Sequence, residues 1–112
     1  MSNNATLCED VKPLSQVFRL LGEPSRLRIL CSLGLECRPV SAIVAATGLS
    51  QTNVSFHLRL LREAGLVRPE RRGPFIYYCL PDPGFLAILE EMGCWLQKRE
   101  EATASGDGQQ GS

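Results

Sequence analysis

The sequence predicts a mainly α-helical domain carrying one small β-hairpin, an α+β arrangement, and three observations lead to it. Apolar residues recur at three- and four-residue spacing through four successive segments between Pro13 and Ala64. A β-branched and aromatic run, Phe75-Ile76-Tyr77-Tyr78-Cys79-Leu80, follows a Gly73-Pro74 turn signal. A further apolar helical pattern opens after Asp82-Pro83-Gly84. At 112 residues the chain suits a single core. No segment approaches the roughly 18 apolar residues of a membrane span. The polar N-terminus, with Asn3, Asn4, Glu9 and Asp10, has no signal-peptide character, so a cytoplasmic location is expected.

In chain order, Pro13 to Leu21 is apolar at Leu14, Val17, Phe18, Leu20 and Leu21 and reads as the first helix. After Gly22, Glu23-Pro24-Ser25 opens a second helix that runs to Leu33, with proline tolerated in the first turn. Val40 to Thr47 is the third, broken at Gly48. Ser50 is placed as an N-cap whose hydroxyl accepts from the free N–H groups of Thr52 or Asn53, starting a fourth helix. Val54, Leu58 and Leu61, flanked by Leu60 and Ala64, give that helix one buried face, and Gly65 closes it as a left-handed residue. Leu66-Val67 begins an extended segment ending in Arg68, Glu70, Arg71 and Arg72; the chain turns at Gly73-Pro74 and returns through Phe75 to Leu80. Phe85 to about Arg99 forms the last helix, and the polar stretch from Ala102 is expected to be disordered. The expected division is an N-terminal arm over 1–11, a folded domain over 12–99 and a disordered tail over 100–112.

The fourth helix leaves Gln51, Thr52, Asn53, Ser55, His57, Arg59 and Arg62 on its polar face. The N-terminal half of that face is short, uncharged and rich in groups that both donate and accept hydrogen bonds. Such side chains, with Ser50, suit base edges in a major groove, while the arginines suit phosphate. A hairpin tipped by Arg71 and Arg72 directly behind such a helix is the wing of a winged helix-turn-helix. Net charge is zero, yet residues 12–80 hold ten Lys or Arg against four acids, a net of +6, while both flanks are acidic. Phosphate affinity depends on local charge, so the neutral total is no obstacle to double-stranded DNA as partner. The last helix carries more apolar surface than a small core needs, which a homodimer would bury. A two-fold pair also sets two recognition helices about 34–36 Å apart.

The segments LGEPSRLRIL, ATGLSQTNVSFHLRLLREAGLV and RRGPFIYYCL, with the C-terminal apolar helix, closely resemble the ArsR/SmtB family of bacterial metal- and thiol-responsive repressors. The likeness covers residues 13 to about 98. It implies a homodimeric winged-helix repressor, paired through its first and last helices, that occupies an operator until an inducer binds. Two departures bear on the inducer. Many members place a Cys-x-Cys pair at the start of the third helix, where this chain has Pro39-Val40-Ser41; others use histidines on the last helix, and Phe85 to Arg99 has none. The single histidine, His57, resembles the family's recurring His-Leu in the recognition helix, a DNA-contact or packing position.

Five cysteines are many for so small a domain, and no Cys-x-x-Cys pair suggests a structural zinc site or a thioredoxin-like dithiol. A sulfur-only site favours soft species such as As(III), Sb(III), cadmium, lead or cuprous copper. No constitutive cofactor is expected. The candidate ligands are Cys94, Cys79 and Cys31, with Cys37 and Cys8 as further ones. Cys31, in RILCSL, is also suited to be a small core residue. It resembles family members that sense persulfide or oxidants through a cysteine there paired with one on the last helix, which here is Cys94, about one turn earlier than in that subgroup. A Cys31–Cys94 bridge answering a reactive sulfur species or oxidant is therefore the alternative to metal sensing. Cys79 could approach Cys94, a two-thiol site that would suit a mono-organic trivalent arsenical, and Cys37, in a loop expected to be exposed, has Arg38 beside it to favour the thiolate. An enzyme is not expected: there is no phosphate-binding loop, no Cys-x₅-Arg oxyanion site and no acid–base pair beside a cysteine.

Overall fold

The computed structural model describes residues 10–105. Helix α1 (Lys12–Leu21) carries Pro13 in its first turn, and the N–H of Lys12 donates to the Asp10 carboxylate at 3.2 Å. Helix α2 (Pro24–Leu33) is capped by Glu23, whose carboxylate accepts from the N–H of Ser25 at 3.3 Å. A two-residue strand β1 (Arg38–Pro39) leads directly into α3 (Val40–Thr47), which ends at left-handed Gly48. Helix α4 (Gln51–Glu63) starts at Ser50, whose Oγ accepts from the N–H of Asn53 at 3.1 Å, the expected cap.

The end of α4 fixes the direction in which the chain leaves it. Gly65 takes φ +78°, where a Cβ would be strained, the N–H of Gly65 donates to the carbonyl of Arg62 at 3.0 Å, and the N–H of Leu66 reaches back to Leu61 at 2.8 Å. Those two bonds are the Schellman arrangement, which satisfies carbonyls the helix would leave unpaired. Leu66 and Val67 are buried at once, so the wing starts from the core. Strands β2 (Arg68–Arg72) and β3 (Phe75–Cys79) pair antiparallel with Arg72 opposite Phe75, leaving Gly73-Pro74 as a two-residue turn. Gly73 has φ +61° in the first central position, which a type II′ hairpin turn requires.

The expected two-stranded hairpin is a three-stranded sheet of order β1-β3-β2, because Arg38 and Pro39 pair with Tyr78 and Tyr77. The core of this part of the chain joins Ile29, Leu30 and Leu33 of α2, Ile43 of α3 and Val54, Leu58 and Leu61 of α4, closed by Leu66, Val67, Cys79 and Leu80. Each fully buried aliphatic side chain contributes about 1.5–3 kcal/mol.

The chain divides into two compact units, Met1–Pro81 and Asp82–Ser112, and the second is built on one helix, α5 (Pro83–Ser105). Asp82 caps it, its carboxylate accepting from the N–H of Phe85 at 3.0 Å. The helix expected to end at about Arg99 continues to Ser105, which corrects residues 100–105 of the expected disordered tail. Glu100, Glu101 and Ala102 are good helix formers, Gln97 bonds Glu101 one turn on at 3.1 Å, and the Arg99 guanidinium lies 4.9 Å from the centre of the Trp95 ring. The remainder of that tail and residues 1–9 of the expected arm, Cys8 included, lie outside the described residues.

Ser50→Ala should lower stability by about 1 kcal/mol through the lost cap, and Leu58→Ala by about 2–5 kcal/mol through a cavity. Urea unfolding monitored by circular dichroism checks both, and equal losses would contradict this account of the core.

Candidate nucleic-acid interface and thiol cluster

Burial of Val54, Leu58 and Leu61 determines which side of α4 faces outward. Gln51, Thr52, Asn53, Ser55, Arg59 and Arg62 are exposed there, together with the Ser50 cap. Arg59 pairs only loosely with Glu63, at 3.9 Å across the next turn, and lies over the Phe56 ring at 5.6 Å. An exposed pair of that kind contributes little, so the guanidinium is available to a phosphate at small cost.

His57 differs from its neighbours. It is half-buried, its Nδ1 lies 3.4 Å from Nη1 of Arg26 on α2, and its ring meets Phe56 edge-on at 5.3 Å. Arg26 also donates from Nε to the carbonyl of Leu20 at 2.7 Å. One guanidinium thereby ties the end of α1 and the middle of α4 to α2, and the His57 ring serves as a packing brace.

Alternation along the hairpin separates the two tip arginines. Arg72 stands on the same face as Glu70 and Tyr77, with Nε 3.3 Å from the Glu70 carboxylate and its guanidinium 4.5 Å from the centre of the Tyr77 ring. Arg68 joins the same carboxylate at 3.5 Å. Arg71 is on the opposite face and its Nη1 bonds only the Gly73 carbonyl at 3.4 Å, so it is the tip charge with no carboxylate partner among the described residues. Glu70, which sequence reasoning did not single out, is the hub of the wing.

That hub borders a thiol cluster. Cys79, 3% exposed at the end of β3, is joined by a disulfide to Cys37, with Cα atoms 4.3 Å apart. Glu70 Oε1 lies 3.4 Å from the Cys37 sulfur and 3.5 Å from that of Cys79. Cys37 lies in the expected loop ahead of β1, but its expected exposure is corrected: it is half-buried, because the pairing of β1 with β3 draws it to Cys79. Cys31 and Cys94 are free and exposed. Of the sequence-predicted thiols, the structure therefore brings Cys79 together with Cys37.

Residues 23–68 match the family described as bacterial regulatory protein, arsR family. The chain is 32% identical over 100 residues to the arsenical resistance operon repressor of Bacillus subtilis, covering 86% of this chain and 93% of that protein. It is also 32% identical over 92 residues to a transcriptional repressor SmtB homolog of Synechocystis, covering 82% and 70% of the two chains. Among solved structures it is similar to the homodimeric winged helix-turn-helix DNA-binding domain of Mycobacterium bovis Mb0332, with TM-score 0.64, 25% identity and coverage of 99% and 96%.

Replacing Arg71 by alanine should weaken binding to all DNA sequences alike and reduce the salt dependence of binding by about one phosphate contact. Arg72→Ala should change it less, because Glu70 already engages that charge. Salt titrations of DNA affinity check this, and a larger effect at Arg72 would reverse the assignment.

Proposed function

This chain belongs to the arsR family of bacterial regulatory proteins, and on that premise we propose that it is a homodimeric repressor whose hold on operator DNA is released through its cysteines. The observation that carries the DNA-binding half is the outward polar face of α4, opposite a face packed into the core. Gln51, Thr52, Asn53 and Ser55 read base edges, while Arg59, Arg62 and Arg71 hold phosphate. No helix among the described residues is long and apolar enough to cross a membrane; action on operator DNA places the protein in the cytoplasm.

Apolar residues left exposed support the dimer. Val11, Leu14 and Phe18 line one side of α1 and its approach, and Ile88, Met92, Trp95 and Leu96 recur along one stripe of α5. Trp95 is 59% exposed, a large apolar cost for a single chain in water. The Bacillus subtilis relative is named for arsenical resistance, and the M. bovis domain is homodimeric. The inducer is a thiophilic metal or metalloid such as As(III), Sb(III), cadmium or lead, bound by thiolates rather than imidazole. Sensing of an oxidant or reactive sulfur species is the second reading, favoured by the disulfide already formed between Cys37 and Cys79 and by the free, exposed Cys31 and Cys94.

Fluorescence anisotropy on DNA from the gene's own upstream region tests the whole reading. Reduced protein should bind tightly, arsenite or cadmium should release it about 5–150-fold, and alkylating the thiols beforehand should abolish that response. Release that survives alkylation would remove the cysteines from the mechanism. In sedimentation, Trp95→Glu should shift the protein toward monomer and weaken operator binding in parallel; an unchanged dimer would take the α5 stripe out of the interface.

A further inference from the structure

The pairing of β1 with β3 does more than add a strand. Continuing its register one residue back from Arg38 opposite Tyr78 sets Cys37 directly opposite Cys79. On the other side of β3, Cys79 is opposite Arg68, and two residues along the same face stands Glu70. Ligand-type atoms of Cys37, Glu70 and Cys79 all lie within 4.8 Å of one another. Strands β2 and β3 and the residue leading into β1 thus deliver two sulfurs and a carboxylate to one point, with Arg68 and Arg72 holding the carboxylate in place.

We propose that in the reduced protein Cys37, Cys79 and Glu70 form a binding site for a soft divalent cation, and that the disulfide is the capped state of that site. This rests on the reading of the chain as a thiol-responsive repressor and gives that response a location on the wing. The cap opens by thiol exchange: two equivalents of a monothiol supply two electrons and two protons, become their own disulfide, and leave Cys37 and Cys79 as thiols. Binding then displaces the two thiol protons, and the ion takes two thiolates and the Glu70 carboxylate. A hydroperoxide closes the cap again, taking two electrons and two protons from the thiols and leaving as water and an alcohol.

Sulfur as the majority donor selects soft ions over magnesium or calcium. Two thiolates fall short of the three that inorganic As(III) takes in its fullest coordination, so the set fits cadmium or lead better. The location supplies the coupling. Pro39, two residues after Cys37, is the N-cap of α3, the first helix of the helix-turn-helix, whereas Cys79 ends the strand that returns from the wing tip. An ion held between the two sulfurs parts strands that the disulfide draws together, at the point where wing and helix-turn-helix meet.

Cadmium is the probe. The full-length chain is reduced, exchanged into thiol-free anaerobic buffer and titrated while thiolate-to-cadmium charge transfer is followed in the ultraviolet and operator binding by anisotropy. A Cys31→Ser/Cys94→Ser double variant should bind one cadmium per chain as the parent does. Cys37→Ser, at a half-buried position that tolerates the hydroxyl, should lose the charge-transfer band, and Glu70→Gln should keep it with affinity lowered about 10–100-fold. Treating the double variant with hydroperoxide should abolish binding, and re-reduction should restore it, which excludes misfolding as the cause. A band that persists in Cys37→Ser and vanishes in the double variant would overturn the site and leave the repressor reading intact. Cadmium bound at Cys37 and Cys79 without any change in operator affinity would leave the site and overturn its part in induction.

Discussion

The interlock of α4 with α2 and α3 is the constraint on which the rest depends. Val54, Leu58 and Leu61 are almost wholly removed from water against Ile29, Leu30, Leu33 and Ile43, so α4 cannot turn about its axis without exposing several large side chains. The outward direction of Gln51, Thr52, Asn53 and Ser55 is a consequence of that burial, since no side-chain hydrogen bond or ion pair among the described residues fixes them. The Arg26 guanidinium adds a polar tie at the same junction, reaching Leu20 on one side and His57 on the other. The polar face of α4 is thereby held by apolar packing beneath it, which leaves that face free to change without loss of fold.

The wing is organised differently, around one carboxylate. Glu70 takes Arg68 and Arg72 as ion-pair partners and borders both sulfurs of the disulfide. Exposed ion pairs of this length add little to stability singly. Their effect is on geometry: they hold Arg72 close to the strand and leave Arg71 as the projecting charge.

Much of this architecture was legible because local signals and tertiary outcome agree. Ser50 as cap, Gly65 as a left-handed stop, the Gly73-Pro74 turn and the apolar spacing of α4 each have a short-range physical cause written in neighbouring residues. Four features were not legible, and the first three depend on residues far apart in sequence. Strand β1 is two residues long and ends in proline, so it exists only because β3 offers partners. The Cys37 and Cys79 pairing inherits that register across 42 positions. Arg26 meets His57 across 31 positions through the packing of two helices. The α5 extension past Arg99 hides in charged residues that read equally well as tail or helix.

The sheet order leaves β2 on the rim, and its sequence suits that place. Pro69 has no N–H to offer, and Arg68, Glu70, Arg71 and Arg72 surround it with charge in a five-residue strand. An uncovered strand ordinarily invites another backbone to add itself, the route to fibres and unwanted oligomers. Here Pro69 and the flanking charges discourage such pairing along β2. The wing of a DNA-binding regulator can thus project into solvent without its outer strand recruiting another chain.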